Sequence, residues 1–412
     1  MKGLLIKGGR PLSGTVVPQG SKNAALPMIF ASLLMHGTSV IKGAPDITDV
    51  RVAIEIISRL GAKCTLKKGA LYINTDEVDY APPDSRLTSR IRASSYLLGA
   101  CLSRFGVAHL SSFGGCNFEH RPIDMHLFAA ASLGAEAGDA SISCRRLVGG
   151  DIFFDKISVG ATVNALLLSA SAVGRTRIFS YAREPHILCL IEFLRSAGAE
   201  IAVKDDCIEV IGHPLSSGHG CVIPDMIEAG TYIAAGLVTS SEISVLTDAD
   251  GEILPFLDVL SDSGASVERR EGKMSVFGKM TTPCNVITSP YPGFPTDLQP
   301  IIAPVMALFS GGAITERVWL SRFGYLKSLE KFGFRFELCG SRAEIYPSRI
   351  HSARAAAPDL RGGAALLLAA ISAEGESVIE NADLIHRGYE SIVNKLRSIG
   401  VDIKEILLEK EQ

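Results

Sequence analysis

Four cations and one carboxylate stand where buried helices are expected to begin. Lys22 follows Ser21, Arg90 and Arg92 open one such segment, Arg361 opens another, and Asp297 follows Thr296. The helix dipole opposes a Lys or Arg at an N-terminus, so each needs a reason to be there. Bound phosphate or carboxylate supplies one, and a solvated charge is the plainer reading of any single residue. The run HLSSFGGCNFEHRPIDMH at 109–126 brings Gly114-Gly115 up to Cys116, with His120, Arg121 and His126 following. A thiol near cations has a lowered pKa and can act as nucleophile or acid. A plain surface turn is the alternative. In YPGFPTDLQ at 291–299, two prolines and a glycine hold a loop that presents Asp297. That carboxylate is suited to take a proton from a hydroxyl, or to a structural place beside a cap. Taken together, the cations at equivalent repeat positions favour an anion-binding site, while the parts of Cys116 and Asp297 stay open between chemistry and structure.

The elements that must position these groups repeat. Candidate buried helices of small and aliphatic residues lie at 21–34, 89–102, 158–170, 225–238, 296–309 and 359–371. Ser21, Ser89, Ser158, Asp225, Thr296 and Asp359 are their expected N-caps. Apolar residues on nearly every face mean these helices are interior. A second, amphipathic helix in each repeat closes on a glycine: Gly61, Gly134, Gly198, Gly264, Gly333 and Gly400, at intervals of 73, 64, 66, 69 and 67. That period is too long for a solenoid and suits a complete β-α packing unit. Six units suggest two lobes of three facing a cleft, with the crossover near 216–226. Six equivalent helix N-termini would form an anion trap if they converged, and would be a packing solution if they did not.

Composition narrows the class. With 412 residues, two domains are expected. A net charge of −3 argues against a nucleic-acid footprint, and no apolar run has the length of a membrane span. The apolar stretch at the start is too short for a signal peptide, so the expected location is the cytoplasm. Nine cysteines without a CxxC pair give neither a zinc site nor a disulfide framework. Neither GxxxxGK[ST] nor a strand-linked GxGxxG occurs, so the standard nucleotide loops are not supported.

The phrases GSKNAALP at 20–27, PDITDVR at 45–51, RAS at 92–94, GGC at 114–116, RPID at 121–124 and DKISVGATVNA at 155–165 together resemble the enolpyruvyl transferases. REP at 183–185, PGFPTDLQ at 292–299, SRF at 321–323, DLR at 359–361 and IHRGYE at 385–390 continue the resemblance in order. It is closest to the branch that acts on uridine-diphosphate sugars. The shikimate-pathway branch, a more distant relative, lacks the lid cysteine and the uridine segment.

The resemblance implies an α/β fold of two inside-out α/β barrels, six βαβαββ units in all, three per lobe. One lobe would span 21–224, and the other 1–20 with 225–412, the active site lying in the cleft between them. The implied reaction moves the enolpyruvyl group of phosphoenolpyruvate to the 3′-hydroxyl of UDP-N-acetylglucosamine and releases phosphate. Lys22, Arg121 and Arg361 would hold phosphoenolpyruvate, with Arg92 and Arg322 nearby. Cys116, on a closing lid, would be the general acid, and Asp297 would accept the hydroxyl proton. Asn23, Arg92, Asp297 and Val318 would contact the sugar nucleotide. Arg121, Pro122, Ile123, Asp124 and Met125, with Lys156, Ser158, Val159 and Gly160, would hold its uridine diphosphate. No metal or organic cofactor is implied, nor any nucleic-acid or membrane partner, and the expected state is a monomer.

Two stretches depart from the family pattern. Asn117-Phe118-Glu119-His120 replaces small residues after the lid cysteine. Trp319-Leu320-Ser321-Arg322-Phe323 stands for Phe-Glu-Asn-Arg-Phe, losing a carboxylate and an amide. They motivate two alternatives: a relative acting on another uridine nucleotide, and a catalytically silent regulator that binds UDP-sugars. A pure binder has no need of Cys116 or Asp297.

Overall fold

The structure, a computed structural model, describes residues 2–110, 114, 122–248, 251–270 and 272–409. All six periodic glycines take positive φ, from 89° to 110°, a region that costs residues with a Cβ. After the helix Thr48–Ser58, Gly61 N donates to Ser58 O at 3.0 Å and Ala62 N to Ile57 O at 3.2 Å. This pair of bonds is the Schellman closure. It recurs at Gly134, Gly198, Gly264 and Gly400, and at Gly333 the bond to Glu330 O is present. The left-handed residue ends each helix and turns the chain into a strand. Hairpins follow, such as Lys63–Lys67 with Ala70–Asn74 and Ser266–Arg270 with Lys273–Phe277.

The chain divides into two compact units, one of residues 2–19 with 224–409 and one containing 20–110 and 122–223. Among the described residues each unit holds three sheets, five of the six being four-stranded and mixed. The sixth, formed by Val107–His109, Ser141–Ser143 and Glu136–Ala137, is three-stranded and antiparallel. In the last repeat the strand Asp402–Leu407 pairs antiparallel with Lys2–Gly8, which also pairs antiparallel with Gly375–Glu380. The two ends of the chain thus complete one repeat between them.

Within each unit the small-residue helices are interior. Ala161 to Ala170, Ile227 to Val238 and Leu360 to Ile371 are buried without a break. The helices Met226–Val238, Gln299–Leu308 and Leu360–Ser372 pack on one another, while Tyr96–Phe105 packs on both Lys22–Ala31 and Val159–Ser171. Repeated α/β units with helices inside and sheets outside are therefore the architecture of the described chain.

Two helix starts differ from the sequence reading. Ser89 ends the short helix Ser85–Thr88, and the next element opens with a 3-10 turn at Arg92–Ser95 before Tyr96–Phe105. Arg90 therefore lies ahead of that helix. Thr296 begins a 3-10 turn, Thr296–Leu298, with Pro295 in the position ahead of it and no side-chain cap bond. In both places the tighter turn displaces the cap because the first residues serve other hydrogen bonds: Ser94 Oγ bonds Thr88 O and Ile91 O, and Thr296 Oγ1 bonds Glu316.

Candidate active site

In the unit formed by 2–19 and 224–409, three of the expected residues meet. Asp359 caps the helix Leu360–Ser372, accepting from Arg361 N at 2.9 Å and Gly362 N at 3.0 Å. A Cβ on Gly362 would lie 2.7 Å from Pro358 and 2.9 Å from Tyr325, so glycine lets the first turn sit against its neighbours. This fixes Arg361, whose guanidinium is buried and reaches Asp297 Oδ2 from Nε at 3.3 Å and from Nη2 at 3.0 Å. Arg322 Nη1 reaches Asp297 Oδ1 at 2.6 Å. One carboxylate is held between two buried guanidiniums.

Both arginines are supported from behind. Arg322 Nη1 also donates to Thr296 Oγ1 at 3.1 Å, and Thr296 donates to Glu316 Oε2 at 2.9 Å. Glu316, fully buried, accepts further from Thr288 Oγ1, Val318 N and Trp319 N. Val318 is therefore placed by its backbone, through Glu316. Arg361 lies 6.0 Å from the Tyr389 ring, and Tyr389 OH pairs with Thr231 Oγ1 at 2.8 Å. Burial works to lower the Arg361 pKa, and Asp297, Tyr389 and Asp225 more than offset it, so the group stays charged. Burial and Asp225 push Glu252 up to about 8. A charged guanidinium pair facing a carboxylate can bind an anion and release a base.

In the other unit, Lys22 is the first residue of Lys22–Ala31. Ser21 is its N-cap residue but makes no side-chain cap bond. A Cβ on Gly20 would fall 1.9 Å from Gly43 O, so only glycine allows this approach. Lys22 Nζ pairs with Asp49 Oδ2 at 3.2 Å. Asp49 is buried in the first turn of Thr48–Ser58, where the dipole favours a carboxylate. Asn23, beside Lys22, is half-buried.

Arg92 opens its 3-10 turn, and burial lowers its pKa. Its Nη2 points to Pro122 O at 3.4 Å. Pro122 and Asp124 are exposed, and Ile123 and Met125 half-buried. Lys156 is exposed, while Ser158 caps Val159–Ser171 by accepting from Ala161 N at 3.3 Å. Val159 and Gly160 form the first turn of that helix. Cys116 and Arg121 lie outside the described residues.

One expectation needs correction. His126 is not a cation beside the thiol segment: burial, reinforced by Arg92 and opposed by Asp124, lowers its pKa to about 4. Sequence reasoning also missed Asp49, Glu316 and Asn164. Asp49 falls within PDITDVR and Asn164 within DKISVGATVNA, but a buried partner has no pattern of its own.

Among the described residues no group of three His, Cys, Asp or Glu is arranged to hold a metal ion, and no helix is long and apolar enough to cross a membrane.

The family described as EPSP synthase (3-phosphoshikimate 1-carboxyvinyltransferase) matches residues 6–396. UDP-N-acetylglucosamine 1-carboxyvinyltransferase 3 of Caldanaerobacter subterraneus subsp. tengcongensis is 38% identical over 422 residues, covering 98% of this chain and 100% of that protein. Its counterpart in Symbiobacterium thermophilum is 37% identical, with 98% of each covered. Among solved structures, the enolpyruvyl transferase NikO from Streptomyces tendae has a TM-score of 0.86 at 25% identity, with 99% of both chains covered. An EPSP synthase from Acinetobacter baumannii shares the fold, with a TM-score of 0.72 at 16% identity, covering 99% of this chain and 100% of that one. Likeness of that degree, sustained from one end of the chain to the other, makes this protein a member of the enolpyruvyl transferase family.

Proposed function

We propose that this enzyme transfers the enolpyruvyl group of phosphoenolpyruvate to the 3′-hydroxyl of UDP-N-acetylglucosamine, releasing phosphate. This is the committing step of peptidoglycan precursor synthesis, and so serves cell shape and division. The observation that carries the reading is the Asp297 carboxylate held at 2.6 Å by Arg322 and 3.0 Å by Arg361. Fixed guanidiniums suit the carboxylate and phosphate of phosphoenolpyruvate, and a carboxylate among them suits the hydroxyl proton.

The hydroxyl oxygen bonds to C2 of phosphoenolpyruvate while Asp297 takes its proton and the Cys116 thiol protonates C3. Loss of a C3 proton then expels phosphate and restores the double bond. Lys22, Arg92 and Arg121 neutralise the anion alongside Arg322 and Arg361. Asn23 and Val318 contact the sugar nucleotide. Pro122, Ile123, Asp124, Met125, Lys156, Ser158, Val159 and Gly160 hold its uridine diphosphate. The reading includes a monomeric cytoplasmic enzyme that works without metal or organic cofactor, charge compensation coming from side chains.

Incubation with phosphoenolpyruvate and UDP-N-acetylglucosamine, following phosphate and the mass of the sugar nucleotide, tests this. Phosphate with a gain of one enolpyruvyl group supports it. Leu320, 53% exposed where the family carries a carboxylate, favours a second reading with another uridine nucleotide as acceptor. Binding of phosphoenolpyruvate without product, and product with uridine monophosphate in its place, would select that one.

A further inference from the structure

Asn164, on the helix Val159–Ser171, is fully buried and joins three segments of its unit. Its Oδ1 accepts from Gly99 N at 2.7 Å, and its Nδ2 donates to Ser95 O at 3.2 Å. A Cβ on Gly99 would fall 2.5 Å from that oxygen, so glycine admits the bond. These two contacts orient the amide, since reversing it would set donor against donor and acceptor against acceptor. The same Nδ2 lies 2.6 Å from Nδ1 of His126. Nδ1 must therefore accept, and the ring proton of neutral His126 sits on Nε2.

That second nitrogen has a direction. The His126 edge bearing Cε1 and Nε2 lies 3.0 and 3.2 Å from where a Cβ on Gly160 would stand, at the first turn of Val159–Ser171. His126 is 5% exposed, and its Nε2 makes no hydrogen bond to another described residue. A ring N–H without a partner on the described chain is open to an acceptor from a ligand. This one is aimed at a helix N-terminus of a 13-residue helix, a place suited to an anion. Depressed basicity, with burial as its first cause, keeps the ring neutral there at neutral pH.

We propose that Asn164 is a positioning residue: it holds His126 as an Nε2–H donor to a diphosphate oxygen of the bound nucleotide. The proposal rests on the UDP-sugar reading. It makes the amide, rather than any charge on His126, the element that aligns segments 92–99, 122–126 and 158–164 for the ligand.

Two measurements test it. Selective ¹⁵N-histidine NMR of the wild-type protein at pH 7 is expected to show His126 protonated on Nε2 alone. Calorimetric titration with UDP compares wild type with Asn164→Asp and His126→Phe. At pH 9, where the ring is neutral, the aspartate keeps the acceptor for Gly99 N but places the single ring proton on Nδ1, while phenylalanine keeps the ring shape and removes the donor. Both variants are expected to bind UDP about tenfold more weakly, with the phosphoenolpyruvate KM within about twofold of wild type. An Nδ1–H or doubly protonated ring in the wild type overturns the proposal. So does unchanged UDP affinity in both variants when the wild type binds UDP, which leaves the UDP-sugar reading standing. A wild type that binds no UDP overturns both. If Asn164→Asp fails to fold, the NMR and His126→Phe decide.

Discussion

Arg361 gives both Nε and Nη2 to a single oxygen of Asp297, at 3.3 and 3.0 Å, while Arg322 occupies the other oxygen at 2.6 Å. A carboxylate held in this way has its negative charge largely committed and is a poor base. On the proposed assignment, an incoming phosphoenolpyruvate anion would compete for the same guanidiniums and return basicity to Asp297. Asp297→Asn is expected to bind both substrates while phosphate release falls by about 10²–10⁴. Release near the wild-type rate would remove Asp297 from the mechanism.

Cys116→Ser should separate chemistry from binding. A hydroxyl is a far weaker acid than a thiol, so turnover should fall by about a hundredfold or more. Affinity for the UDP-sugar should stay within about threefold, because the assigned role is in proton transfer. Small, equal changes in both would refute that role.

Lys22 is oriented by Asp49, a buried carboxylate 3.2 Å away. Asp49→Asn keeps the shape and removes the charge partner. The phosphoenolpyruvate KM should rise about three- to tenfold with little change in the UDP-sugar KM. Equal changes in both constants would argue that Asp49 serves only the fold.

Glu252 carries a pH signature. Its ordinary value is 4.5, and burial followed by Asp225 raises it to about 8. Between those values the folded protein holds a proton that the unfolded chain has lost. Its contribution is therefore complete below about pH 4.5 and lost as pH rises to about 8. Glu252→Gln should remove this slope and stabilise the protein at pH 8 by on the order of 1–3 kcal/mol. Urea midpoints at pH 5 and pH 8 that move in parallel for both proteins would count against it.

Repetition made much of the fold readable. A residue in the left-handed region is most easily glycine, so the helix ends from Gly61 to Gly400 left a mark at each repeat. Interior helices must be apolar on nearly every face, and Ala161 to Ala170 is buried throughout with only Thr162, Asn164 and Ser169 polar. Ser158, Asp225 and Asp359 cap as their types imply. The starts at Ser89 and Thr296 differ from the sequence pattern for separate reasons: Ser94 turns back on Thr88 and Ile91 nearby, while Thr296 bonds Glu316, distant in sequence.

By itself, the sequence determined local matters: helix ends, interior faces, the repeat, and which residue types stand at the helix starts. These follow from backbone sterics and hydrogen-bond demand over a few neighbours. Only the tertiary structure decided that Arg322, Asp297 and Arg361 share one contact, that Lys22 meets Asp49, and that His126 is neutral. Charge state and pairing depend on what surrounds a group after burial, and those surroundings come from residues far apart in sequence, as with Arg361 and Asp297, 64 positions apart.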